Sequence, residues 1–176
     1  VNISDDEVMI ISNHKMEGYT YYDTTYMTVA RLLPPCDDGY TEIDSSCYYQ
    51  SDLDVLQILI DNSDTTLNMD MDVDSSGVVE PLELGDQNWS DGRLTSFDCY
   101  DTCQLSGELP SEIGNMENLT SLNLGFNQLS GEIPQEIGNL MNLNQLKLDH
   151  NQFTGEIPSW IGNLTNLISL DLCQNQ

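Results

Sequence analysis

Between Leu105 and Gln176 the chain repeats itself three times without a gap. The units are LSGELPSEIGNMENLTSLNLGFNQ from Leu105, LSGEIPQEIGNLMNLNQLKLDHNQ from Leu129 and FTGEIPSWIGNLTNLISLDLCQNQ from Phe153, each 24 residues long. The first two agree at 15 of 24 positions, which chance does not supply. A fixed period of this length predicts a solenoid, because one unit is too short to bury its apolar edge except against its neighbours.

Each repeat position has a physical task. The frame L-x-x-L-x-L-x-x-N runs Leu119, Leu122, Leu124, Asn127, then Leu143, Leu146, Leu148, Asn151, then Leu167, Leu170, Leu172, Asn175. Alternation over L-x-L predicts a short strand with leucines inward and the intervening residues outward. An asparagine after the strand can satisfy backbone groups left unpaired where the coil bends. Gly107, Gly131 and Gly155 permit a tight turn, and Pro110, Pro134 and Pro158 fix φ at the start of the return path. Ile113, Ile137 and Ile161 then point back into the core.

These residues resemble leucine-rich repeat proteins, in the 24-residue variety with L-x-G-x-I-P after the asparagine that is known from plant extracellular receptors. The match covers residues 105–176, and a degenerate earlier coil (Leu94, Phe97, Cys99, Cys103, Leu105) extends it backward with one inserted residue. The resemblance implies an α/β solenoid with a parallel sheet on its concave side, and a binding role. Outward positions on that sheet are Ser96, Asp98 and Tyr100, then Ser121, Asn123 and Gly125, Gln145, Lys147 and Asp149, and Ser169, Asp171 and Cys173. Phe126 and His150 follow at the edge. As a candidate binding surface we single out Asp98, Tyr100, Asn123, Phe126, Lys147, Asp149, His150 and Asp171; the alternative is an ordinary solvated sheet. No outward column is uniformly threonine, aromatic or basic, which speaks against an ice-binding array or a polyanion site.

Thirty acidic residues face four basic ones, Lys15, Arg31, Arg93 and Lys147, for a formal charge of −26. Such a field repels phosphate backbones and anionic lipid, so nucleic acid and acidic membranes are poor partners. No run approaches the ~18 apolar residues of a membrane span, and no signal peptide is visible. The first residue is Val1, and the chain stops at Gln176 in mid-repeat without a polar cap, as expected of a processed or trimmed product. Either the natural chain continues, or something else covers that edge.

Four segments follow from this reading: a β-rich arm over 1–35, a disulfide loop and linker over 36–50, an N-terminal cap with a degenerate coil over 51–104, and the repeats over 105–176. The arm carries aromatic and β-branched runs that read as two or three strands, too short to bury a core alone. It packs on the solenoid, belongs to a larger domain, or pairs with a neighbouring subunit by strand addition. Cys36 and Cys47 bracket a polar loop that a disulfide would staple in an oxidising compartment. Cys99 and Cys103 both fall at inward positions, where they pair or simply fill volume. Cys173 is left over. Residues 51–61 read as a capping helix with Ser51 as N-cap and Leu53, Leu56 and Ile60 on one face.

The sharpest chemical signal spans residues 72–83. Asp72, Asp74, Ser76, Glu80 and Glu83 put oxygen donors at loop positions 1, 3, 5, 9 and 12, with Gly77 at position 6 and the Val78 carbonyl between. The spacing resembles the calcium loop of EF-hand proteins, in which alternate carboxylates converge on one hard cation. It departs from that pattern in Ser76, in Pro81 within the loop, and in Leu82–Gly85, which reads as strand rather than helix. The alternative is an acidic, solvated connector. Sequons at Asn2, Asn88, Asn118 and Asn163 would be glycosylated only in a eukaryotic secretory protein.

With two histidines in distant segments and no nucleophile motif or phosphate loop, no enzyme is expected. The leading function is a secreted or cell-surface module that binds a protein or glycan on the concave sheet. The second is a structural subunit of an extracellular filament or surface layer, using the N-terminal strands for subunit contacts.

Overall fold

The computed structural model describes residues 36–63 and 65–176. The chain divides into two units, Val1–Asp37 and Asp38–Gln176. The strands expected over 1–35, their subunit contacts and the Asn2 sequon lie outside the described residues.

The second unit opens with a hairpin where a linker was expected. Strands β1 (Tyr40–Ile43) and β2 (Ser46–Tyr49) pair antiparallel, with Tyr40 opposite Tyr49. Asp44 and Ser45 take φ of +50° and +64° between them. Two left-handed central residues give the turn whose twist matches a two-stranded ribbon. Cys36 and Cys47 are each disulfide-bonded.

Helix α1 (Gln50–Asn62) follows at once. Leu53, Val55, Leu56, Leu59 and Ile60 are buried along its inner stripe. Ser51 is not the cap: Tyr49 occupies that position, without a side-chain hydrogen bond. The helix is instead tied down by Asp52, which is fully buried in the first turn. Its carboxylate accepts from Arg93 Nε at 2.9 Å, Arg93 Nη2 at 3.2 Å and the Leu94 backbone N–H at 2.9 Å. The guanidinium also lies 4.1 Å from the centre of the Tyr49 ring.

Arg93 begins the solenoid proper. Strand β3 (Asp86–Ser90) turns through Asp91 and Gly92, at φ of +50° and +71°, into β4 (Arg93–Asp98). The coils then supply β5 (Ser106–Glu108), β6 (Ser121–Asn123), β7 (Gln128–Glu132), β8 (Gln145–Lys147), β9 (Gln152–Thr154) and β10 (Ser169–Asp171). They sort into two sheets. The concave sheet has the order β10-β8-β6-β4-β3, parallel except for the last pair. A second parallel sheet, β5-β7-β9, runs through the glycines expected to form only turns; Gly107 and Gly131 lie within it at φ of +79° and +80°. Single 3₁₀ turns over Ser111–Asn115, Gln135–Asn139 and Ser159–Asn163 close each coil, each directly after its proline.

The core is a stack of rungs. Phe97, Leu122 and Leu146 are aligned across β4, β6 and β8 and fully buried, as are Ile113 and Ile137 behind them. The asparagines stitch successive coils together. Asn151 Oδ1 accepts from Leu129 N–H at 3.0 Å, while its Nδ2 donates to Leu124 O at 2.8 Å in the preceding coil and Leu148 O at 3.3 Å in its own. Asn127 and Asn175 repeat the pattern. Cys103 occupies the corresponding place in the degenerate coil and forms a buried disulfide with Cys99.

Candidate binding face and acidic loop

Parallel pairing places outward residues of successive coils side by side. One row reads Asp98, Asn123, Lys147, Asp171, each the direct strand partner of the next. Beside it, just past the strand ends, Tyr100, Phe126 and His150 form a ladder. The Tyr100 and Phe126 ring centroids are 5.0 Å apart and tilted by 54°; Phe126 and His150 stack at 3.8 Å and 17°. Phe126 and His150 both have φ above +50°, which turns their side chains out of the coil. Tyr100 is 43% exposed and Phe126 39%. Gly125 explains how the rungs meet: a Cβ there would come within 2.7 Å of Asp149 Oδ1 and 3.2 Å of Tyr100 Cδ2.

Two residues expected on the surface are not available to a ligand. Asn123 is 6% exposed and Asp149 5%. Asn123 Nδ2 donates to Asp98 Oδ2 at 3.0 Å, and its Oδ1 accepts from Gly125 N–H. Asp149 Oδ2 lies 3.0 Å from His150 Nδ1. Close packing of neighbouring coils puts both beneath larger side chains, where they orient Asp98 and His150. The outer carboxylates are fixed by their own turns: Tyr100 N–H donates to Asp98 Oδ1 and Cys173 N–H to Asp171 Oδ1. The Cys173 thiol and backbone N–H hold the Asp171 carboxyl below the usual aspartate range, and the carboxylate in turn raises the thiol.

The acidic loop lies in the cap. Oxygens of Asp72, Asp74 and Glu83 approach within 4.8 Å of one another. Backbone donors draw them together. Ser76 N–H reaches Asp72 Oδ1 at 3.0 Å and Asp74 Oδ1 at 2.8 Å, Gly77 N–H reaches Asp72 Oδ2 at 2.8 Å, and Val73 N–H reaches Glu83 Oε1 at 2.9 Å. The Ser76 backbone, then its hydroxyl, lowers the Asp74 pKa. Ser76 Oγ donates to the Val78 carbonyl at 3.0 Å, whereas the Glu80 carboxylate is not part of the cluster. The strand expected over Leu82–Gly85 is a 3₁₀ turn, Pro81–Glu83, because Pro81 fixes φ and has no N–H for a ladder. That turn swings Glu83 back over Val73. Asn88, Asn118 and Asn163 are exposed.

Residues 118–140 and 142–164 each match the family model described as Leucine Rich Repeat. Among solved structures, the crystal structure of a plant ice-binding protein is similar over 73% of this chain and 42% of its own length, at 26% identity and a TM-score of 0.59. The PEPR1–AtPEP1 structure matches 71% of this chain and 18% of its own, at 28% identity and 0.60. The ectodomain of the receptor kinase SOBIR1 from Arabidopsis thaliana matches 73% and 69%, at 25% identity and 0.53. The chain thus spans less than half the length of the first two. No curated protein sequence matches it significantly. Fold and face together define a capped α/β solenoid that presents a concave parallel sheet. Residues 105–176 carry leucine-rich repeats of the 24-residue L-x-G-x-I-P type.

Proposed function

We propose that this chain is a non-enzymatic, extracellular leucine-rich repeat module that binds a protein or glycan partner on its concave face. One observation carries the reading: three half-exposed rings on three successive coils form a continuous strip beside a charged row. Contiguous exposed aromatic surface rimmed by polar groups is a mark of interaction sites. The buried disulfide supports an oxidising compartment, and among the described residues no helix is long and apolar enough to cross a membrane. The PEPR1–AtPEP1 and SOBIR1 ectodomain likenesses support the same reading. The plant ice-binding protein shares the fold, but the charged columns here lack a threonine array.

The test is an array of extracellular proteins and glycans probed with the purified chain and two triple variants. Tyr100→Ala/Phe126→Ala/Lys147→Ala should lose the partners that the parent retains. Glu112→Ala/Glu117→Ala/Gln135→Ala, on the far side of the coils, should keep them. Partners unaffected by the first variant would refute a concave site. A second reading is a self-assembling extracellular filament subunit, for which the edge of the last coil, with Ile157, Ile168 and Leu170, is the surface to test. Concentration-dependent filaments in electron micrographs would favour it; a monodisperse monomer at all concentrations would dismiss it.

Calcium is the proposed occupant of the acidic loop, held by Asp72, Asp74 and Glu83; the Ser76 hydroxyl and Val78 carbonyl, bonded to each other, are the loop's other oxygen donors. Three carboxylates this close repel one another, and a hard cation relieves that repulsion while accepting six to eight oxygens. At a hundredfold excess over Kd, binding adds about 2.7 kcal/mol of stability. The melting temperature should therefore rise with millimolar calcium and rise less with magnesium. Asp72→Asn/Glu83→Gln should abolish the rise. An identical response in that variant would remove the site.

A further inference from the structure

The charges along the concave row narrow the partner further, an inference that rests on the binding role just proposed. We infer that the ligand is an extended cationic peptide segment whose basic side chains are spaced i, i+4, one engaging Asp98 and the other Asp171. The row begins and ends in a carboxylate, with Asn123 and Lys147 between. Strands lie about 4.8 Å apart, so three steps separate the terminal carboxylates by about 14 Å. An extended chain advances about 3.4 Å per residue, which makes four residues span that distance. Its side chains alternate, so residues i, i+2 and i+4 all face the sheet. The register is thus self-consistent: cation, acceptor, cation against Asp98, Lys147 and Asp171, with Asn123 buried beneath the row.

The side chains are prepared for this. Each terminal carboxylate accepts a backbone N–H at one oxygen, and Asp98 also accepts from Asn123 Nδ2 at the other; these bonds fix orientation, and each carboxylate oxygen keeps a further lone pair for a guanidinium or ammonium. Lys147 is the one cation on this row, so it pairs with an acceptor at i+2 and penalises a third basic residue there. Tyr100, Phe126 and His150 run alongside and offer apolar surface to the methylene stems of arginine or lysine. Asp101, exposed at the end of the ladder, adds to the negative rim. A neutral glycan would leave both terminal carboxylates desolvated without a cation, which is costly.

A chain of formal charge −26 attracts any polycation, so the experiment separates placement from field. The probe is a fluorescent, acetylated and amidated heptapeptide, Gly-Arg-Ser-Asn-Ser-Arg-Gly, titrated by anisotropy at 150 mM salt against the whole chain. Controls are the peptide with both arginines replaced by citrulline and one with the arginines at i, i+3. Binding should be at least tenfold tighter than to either control. Asp98→Asn/Asp171→Asn should weaken it at least tenfold, and Glu112→Gln/Glu117→Gln, which removes the same charge elsewhere, less than twofold. Equal losses in the two variants would mean a diffuse field and overturn the inference. So would equal binding of the i, i+3 peptide. Suppose a partner from the array depends on Tyr100 and Phe126 but not on Asp98 and Asp171. The concave-face reading then stands and only the cationic class falls. A glycan behaving in that way overturns the cationic class equally.

Discussion

The asparagine at the ninth place of the repeat frame does more for the fold than any single leucine near it. Asn151 is buried and bonded on both sides, to Leu129 N–H through its oxygen and to Leu124 O, Leu148 O and Asp149 O through its nitrogen. Replacing it with alanine strands a buried N–H and more than one carbonyl, and each unmet buried group costs about 1–3 kcal/mol. Asn142 offers the comparison. It makes one exposed bond, to Glu117 O at 2.9 Å, on the opposite side of the coil. Asn151→Ala should lower unfolding free energy by about 3 kcal/mol in urea titrations and Asn142→Ala by about 1 kcal/mol or less. Equal effects would mean that the ladder, despite its geometry, is no more than one more surface contact. The asparagine frame and its turn were legible in the sequence because the same side chain recurs every 24 residues. Its two-coil bonding was not, because a pattern within one repeat says nothing of the distance to the next.

At the scale of elements, the joint between α1 and β4 is what converts a stack of repeats into a capped one. Asp52 has no exposure, and Arg93 is its ion-pair partner at 2.9 Å. Removing one member of such a pair leaves a buried charge uncompensated, a loss of about 3–5 kcal/mol where burial is complete. Arg93 keeps some solvent contact, so Arg93→Met should fall at the lower end, about 3 kcal/mol, and Asp52→Leu/Arg93→Met should recover part of it. Urea midpoints of the two variants check this; a double variant no more stable than the single would assign the loss to packing instead. The leucine spacing places the helix, but it says nothing of the burial of Asp52, since the partner lies 41 residues away. The hairpins were missed for a different reason. Asp91-Gly92 and Asp44-Ser45 both turn in the left-handed region, yet the first lies in the cap segment just ahead of the degenerate coil and the second in a loop defined by its cysteines. The β5-β7-β9 sheet was hidden because S-G-E carries no alternation of apolar residues; its strands are three to five residues long and are held by stacking.

For the molecule as a whole, the binding strip and the core share one axis, so stability along that axis bears on function. In a solenoid each coil is stabilised by its own contacts and by those with its immediate neighbours. The middle coils have two neighbours, and Leu122 and Leu146 are fully buried. In the last coil Leu170 is 41% exposed, with Leu167 and Leu172 only partly covered. In a polypeptide that ends at Gln176, opening that coil exposes less new apolar surface than opening the coil of β6, so its free energy of opening lies below that of the whole polypeptide. Native-state hydrogen exchange should therefore show a gradient, with amides of β10 exchanging on the order of a hundredfold faster than those of β6, a difference of about 2.7 kcal/mol. Asp171 sits in β10 and Asp98 in β4, so the two proposed ends of the ligand site belong to coils of unequal stability. A ligand that engages both should raise protection in β10 more than in β6, because binding at Asp171 opposes the opening that already costs least. Uniform protection across all three coils in the free chain would instead identify a single cooperative block, in which the strip is rigid before any partner arrives.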